Sequence, residues 1–210
     1  MKMNQSGLTK KAVKGFSKII LTAVLLVFYS GVFSQEKNYE NEKFVVVLDV
    51  QQYWTDKVLS KEASTEMLGS INALIKKSDP GKVIYITSVH KVLSISFKGI
   101  KVDSTLNNEF DRNLKIINNN IFVKAAGDAF TAKQFTDFLK QNNAKEIIIT
   151  GLLAEKCVTS TTLGGLSRGY DIYLIPEAIG GKSPKSKRKV IEKLGKEGAK
   201  IVDESSLKTD

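Results

Sequence analysis

Short apolar runs alternate along this chain with segments whose apolar residues recur every three or four positions. Residues 44–48 (FVVVL) are apolar without a break. A run with no polar alternation has no wet face, so it predicts a central strand buried on both sides. Residues 60–77 place Met67, Leu68, Ile71, Leu74 and Ile75 on one stripe of a helix. Asp79-Pro80-Gly81 ends that helix and turns the chain into a second buried strand at 83–86. Further strands are predicted at 121–123, 147–150, 172–175 and 200–203. Between them, Thr131-x-x-Gln134 reads as a capping box that opens a helix through Phe135, Phe138 and Leu139. A helix from about Cys157 to Ser167 stops at Gly169. Ser183-Pro184 caps another, carrying Val190, Ile191 and Leu194. Residues 91–120 are the least regular: Val92, Leu93, Ile95 and Phe97 suggest an edge hairpin, and the Asn-rich 113–120 a loop. Strands alternating with helices predict an α/β, doubly wound, mostly parallel sheet with helices on both faces.

The first 34 residues follow a different pattern. Lys10, Lys11, Lys14 and Lys18 precede the apolar run 19–33, and Ser34 is a small residue at the cleavage edge before Gln35. The run is short for a membrane span, which needs about 20 residues. Residues 1–34 are therefore expected to be a signal peptide cut near Ser34-Gln35, with an uncleaved N-terminal anchor as the alternative. The expected location is outside the cytoplasm, periplasmic or extracellular, and contact with the membrane is transient. Residues 35–42 are polar and read as a linker, leaving 43–207 as one domain.

Export changes the weight of Cys157, the single cysteine. One cysteine cannot form an internal disulfide, so a free thiol stands in an oxidising compartment. Charge adds little. The chain carries a formal +10, but five lysines and no acid lie in residues 1–34, leaving +5 for the rest. The basic run 182–189 (KSPKSKRK) has no interleaved aromatic residues and reads as a solvated helix face. No nucleic acid is expected as a partner. Gly180-Gly181-Lys182 lacks a phosphate-loop pattern and reads as a turn.

Sites in doubly wound sheets form at the carboxyl ends of the strands. Asp49, Lys124 and Cys157 each follow or end a predicted strand, so the fold gathers them on one rim. A thiol at a helix start is polarised by the helix dipole, which lowers its pKa. Acid, cation and thiol on one rim make a nucleophilic centre. Each residue alone has a blander reading: a small buried hydrophobe, a turn-capping aspartate, a surface lysine.

In order along the chain stand Leu48-Asp49-Val50-Gln51, Lys124 with Asp128-Ala129-Phe130, then Thr150-Gly151-Leu152-x-x-x-x-Cys157-Val158 and Arg168-Gly169-Tyr170. Together they resemble the isochorismatase-like cysteine hydrolases, the superfamily of nicotinamidases and N-carbamoyl amidohydrolases, over roughly residues 43–204. The resemblance implies a Rossmann-like three-layer fold and a triad of Asp49, Lys124 and Cys157. Asp49 would take the thiol proton, Lys124 would hold the thiolate, and Cys157 would attack a carbonyl carbon. The oxyanion would rest on the backbone N–H groups of Leu153 and Cys157, in a loop with a cis peptide between Leu152 and Leu153. Gln51, Trp54 and Phe130 fall where the family builds its substrate pocket. Nicotinamidases bind a metal through an aspartate and several histidines, but this chain has one histidine, His90. No metal or other cofactor is therefore expected.

The expected activity is metal-independent cysteine hydrolysis of a C–N bond in a small amide, ureido or carbamoyl compound. The alternative is a catalytically idle binding protein that keeps the fold. A small molecule is the expected partner, and homo-oligomerisation stays open.

Overall fold

β1 (Phe44–Leu48) is wholly buried, and its side chains divide between two apolar layers. Phe44, Val46 and Leu48 enter one layer and Val45 and Val47 the other. That split follows from the two-residue period of a strand and explains why the run carries no polar position. The computed structural model describes residues 43–89 and 109–203 in full and the backbone of 92–96 and 99–103. The expected signal segment 1–34, the linker 35–42 and His90 lie outside the described residues.

β1 is followed by α1 (Gln52–Val58) and α2 (Lys61–Lys77), then by β2 (Val83–Ser88). An antiparallel hairpin of β3 (Val92–Ser96) and β4 (Gly99–Asp103) precedes β5 (Ile121–Lys124) and α3 (Lys133–Gln141). β6 (Glu146–Gly151), a π turn (Ala154–Val158), α4 (Thr159–Leu166), β7 (Asp171–Ile179), α5 (Pro184–Lys196) and β8 (Lys200–Ile201) complete the order. The main sheet runs β5-β2-β1-β6-β7-β8, parallel throughout. The chain steps outward from β1 through β2 to β5 and then returns to β6 on the other side of β1. The sheet's switch point therefore lies between β1 and β6, and a crevice opens beyond their carboxyl ends.

α2 covers one face with Met67, Leu68, Ile71, Leu74 and Ile75, as its stripe predicts. Its start is closed by Ser60, whose Oγ accepts from the Ala63 N–H at 3.3 Å. α3 covers the opposite face with Phe135 and Leu139, and α5 with Ile191 and Leu194. Each such side chain, fully buried, contributes roughly 1.5–3 kcal/mol of transfer free energy. The α/β three-layer arrangement expected from the alternating pattern is thus the observed one.

Three local expectations need correction. α1 was not foreseen: at seven residues, with no side-chain cap on Gln51, it leaves almost no periodic signal. The Thr131 capping box is not made. Asp128 caps a tight turn (Ala129–Thr131) by accepting from the Phe130 N–H at 2.9 Å, and Thr131 Oγ1 donates to the Asp128 carbonyl at 2.7 Å. α3 consequently starts at Lys133 behind Ala132, which makes no side-chain cap bond. The helical run expected to begin near Cys157 begins three residues earlier, at Ala154.

Candidate active site

Three strand ends build the site. Asp49 follows β1 in a left-handed backbone conformation (φ 54°), held by its N–H donating to the Ile86 carbonyl at 2.9 Å. Aspartate tolerates that region better than most residues, and such strained positions concentrate at functional sites. Next to it the chain leaves β6 at Gly151 (φ 98°), where an added Cβ would collide with the Leu48 carbonyl. Only glycine lets the two strands approach this closely. The next peptide, Leu152–Leu153, is cis, at the position that the resemblance implies.

The π turn that carries Cys157 is pinned at several points. The Ala154 N–H donates to the Gly180 carbonyl at 2.8 Å, and the Glu155 carboxylate accepts from the Lys182 N–H at 3.1 Å. Val158 N–H reaches the Leu153 carbonyl at 3.3 Å, the five-residue step that widens the turn. The Leu153 N–H makes no backbone hydrogen bond among the described residues.

Asp49, Lys124 and Cys157 converge. Lys124 ends β5, the edge strand, and is 2% exposed. Its ammonium lies 2.9 Å from Asp49 Oδ2 and donates to Cys157 Sγ at 3.3 Å. It also donates to Ser88 Oγ at 2.8 Å and to the Ala126 carbonyl at 3.1 Å. An ammonium has three N–H groups, and these three acceptors occupy them. Ser88 in turn donates its hydroxyl proton to Asp49 Oδ1 at 2.5 Å. Asp49 Oδ2 is therefore buried beside a cation yet accepts no hydrogen bond.

The thiol differs from the sequence expectation. Its pKa is pushed up from 9.0 to about 11, where a lowered value was expected. Burial is the largest cause, and the Asp49 carboxylate comes next through its charge and its pull on the thiol proton. Lys124 opposes both without overcoming them. Nor does Cys157 sit at the first position of its helix, where the dipole would act most strongly; the turn begins at Ala154. At neutral pH the thiol keeps its proton, with the Asp49 carboxylate close enough to act on it.

Beside this cluster is a cavity of about 100 Å³, lined by Asp49, Trp54, Val58, Leu152, Leu153, Lys156 and Cys157. Trp54 and Val58 come from α1, which is fastened by Thr55 Oγ1 donating to buried Asp111 Oδ2 at 2.6 Å. A larger groove of about 580 Å³ lies between α2 and the 176–187 segment and contains none of the converging residues.

Of the expected pocket residues, Trp54 is on the cavity wall. Gln51 is buried behind it, its Oε1 accepting from the Ser88 N–H at 3.1 Å, so it aligns the two strand ends and does not face the cavity. Phe130 belongs to the core: its ring lies 5.2 Å from those of Phe135 and Tyr170, under the Arg168 guanidinium. The Asp128 turn directs it inward, away from the cavity. The sequence reading missed Ser88, Val58 and Lys156. Ser88 was within reach, because extending the 83–86 strand by one pleat places it on the same rim as Asp49.

Among the described residues no three His, Cys, Asp or Glu side chains gather as a metal-binding group. The Lys124 ammonium occupies the position between Asp49 and Cys157, so a divalent cation does not fit between those two groups.

Comparisons with known proteins agree with this architecture. The chain is 25% identical over 145 residues to the isochorismatase family protein YrdC of Bacillus subtilis, covering 66% of this chain and 74% of that one. Its fold is similar to the pyrazinamidase of Pyrococcus horikoshii, solved in complex with zinc: TM-score 0.62, 24% identity, 77% of this chain and 99% of that chain. It is also similar to the YcaC gene product of Escherichia coli, described as an octameric hydrolase of unknown specificity: TM-score 0.60, 17% identity, 78% of this chain and 76% of that chain. The isochorismatase domain model matches residues 43–206, the whole of the three-layer unit, and the chain belongs to the isochorismatase domain family.

Proposed function

We propose that this protein is a metal-independent cysteine hydrolase that cleaves a C–N bond of a small amide, ureido or carbamoyl compound. The observation that carries the reading is the buried convergence of Asp49, ion-paired to Lys124 at 2.9 Å, with the Cys157 thiol, to which the same lysine donates at 3.3 Å. Oδ2 accepts the thiol proton as Sγ attacks the carbonyl carbon, so the base need act only when the nucleophile does. Lys124 balances the negative charge as it moves from carboxylate to sulfur and then to the carbonyl oxygen. That oxygen is received by the backbone N–H groups of Leu153 and Cys157. The proton on Asp49 passes to the departing nitrogen, which leaves as ammonia or an amine. Water, deprotonated by Asp49, then releases the acyl group from sulfur.

The pyrazinamidase likeness supports an amide substrate at the level of fold alone. The octameric YcaC product supports a homo-oligomer in the same way. The lysine-flanked apolar run before residue 34 supports export. The high thiol pKa also favours a second reading, a binding domain whose cysteine is idle.

The test is ammonia release from a panel of small amides, ureides and N-carbamoyl compounds, wild type against Cys157→Ala. Turnover that vanishes in the variant supports the hydrolase. Turnover that persists in it overturns the cysteine mechanism, and silence across the panel favours the idle domain.

A further inference from the structure

We infer that Lys156 selects substrates bearing an anionic group, so that the compound cleaved at Cys157 carries a carboxylate or similar anion beside a short apolar body. This rests on the hydrolase reading for the word substrate, but the recognition itself can be tested without turnover.

The cavity wall has three chemical parts. Asp49 and Cys157 form the reacting end, Trp54, Val58, Leu152 and Leu153 give apolar sides, and Lys156 is the remaining member. The Asp49 charge is matched by Lys124 at 2.9 Å, so that pair presents no net charge. Lys156 is exposed, and among the described residues its ammonium makes no ion pair or hydrogen bond, unlike those of Lys124, Lys133 and Lys200. It therefore contributes the one unbalanced charge on the cavity wall.

A solitary exposed lysine is usually just solvated. Lys156 differs because its backbone is fixed relative to the thiol. It immediately precedes Cys157 in the turn anchored by the Ala154–Gly180 bond at 2.8 Å and the Glu155–Lys182 bond at 3.1 Å. A cavity of about 100 Å³ holds only a handful of heavy atoms. A substrate filling it with its reacting carbonyl and apolar body extends any further group toward the exposed ammonium. An anion there gains a charge contact while both partners stay partly hydrated, which avoids the desolvation that opposes buried pairs. A cationic group at the same place meets repulsion, and the apolar walls offer it no acceptor.

The experiment compares two alkylating agents of nearly equal size, anionic iodoacetate and neutral iodoacetamide, on the full chain. Labelling of Cys157 is followed by mass spectrometry in wild type, Lys156→Met, Lys156→Arg and Lys156→Glu. The iodoacetamide rate in each variant corrects for any change in thiol ionisation. The iodoacetate-to-iodoacetamide ratio is expected to fall about fivefold in Lys156→Met, the size of one exposed charge contact. It should fall further in Lys156→Glu and recover in Lys156→Arg. Raising salt should lower the ratio in wild type and leave Lys156→Met unmoved. A ratio equal in wild type, Lys156→Met and Lys156→Glu overturns the inference, as does a wild-type cavity that admits neither reagent. The hydrolase reading fails separately, through turnover that survives Cys157→Ala.

Discussion

Lys124 Nζ forms a buried ion pair with Asp49 Oδ2 at 2.9 Å. The two meet directly at that oxygen, while Ser88 bridges them through the other. The carboxylate is thus held by a hydroxyl at one oxygen and by a cation at the other, an arrangement that fixes the base beside the thiol.

The thiol should titrate late. The iodoacetamide rate at Cys157 is expected to keep rising with pH to a midpoint near 11, beyond the ordinary 9.0. The sign for stability follows: the folded pKa lies above the unfolded one, so the contribution is fully present below pH 9 and is lost as pH rises through about 11. Denaturant midpoints across that window check it, and a labelling midpoint at or below 9 would contradict the buried, Asp49-facing thiol.

Asp49→Asn should separate nucleophile ionisation from catalysis. Removing the carboxylate takes away a cause that raises the thiol pKa and leaves Lys124, which lowers it. The labelling midpoint should therefore move down, while turnover falls by about a hundredfold or more with the loss of the base. Folding stability should drop by roughly 3 kcal/mol, because the buried ammonium loses its counter-charge.

Ser88→Ala should reduce kcat about tenfold through a looser Asp49 and cost about 1–3 kcal/mol, since a buried acceptor and a buried donor both lose their partner. Ser88→Thr, which keeps the hydroxyl, should restore most of kcat. A structural role alone would change stability and leave kcat intact.

Asp111→Ala should act on binding. It removes the 2.6 Å bond that fastens Thr55 and with it the helix carrying Trp54 and Val58. KM is expected to rise several-fold and stability to fall by about 1–3 kcal/mol, with the labelling midpoint of Cys157 unchanged. A shifted midpoint would mean that α1 touches the reacting groups.

The sheet and its rim were legible because unbroken apolar runs such as 44–48 and 147–150 admit one reading once helical stripes alternate with them. Asp49, Lys124 and Cys157 could be placed together for the same reason: strand ends in a parallel sheet share an edge. The thiol's ionisation was not legible. It depends on whether burial and Asp49 outweigh Lys124, a balance of distances that strand positions do not give. Phe130 was placed in the pocket by the resemblance, whereas the turn that Asp128 caps sets its ring against Phe135 and Tyr170. Lys156 passed unnoticed because nothing in a sequence marks a lysine that faces a cavity.

β5 is four residues long and is paired with β2 on one side only. The cation that balances the site thus hangs from one outer margin of the sheet, while base and nucleophile sit at its centre. Edge strands of that length fray well before a core opens. Under heat this margin is accordingly expected to peel first, so an assay should go silent while most of the sheet is still intact.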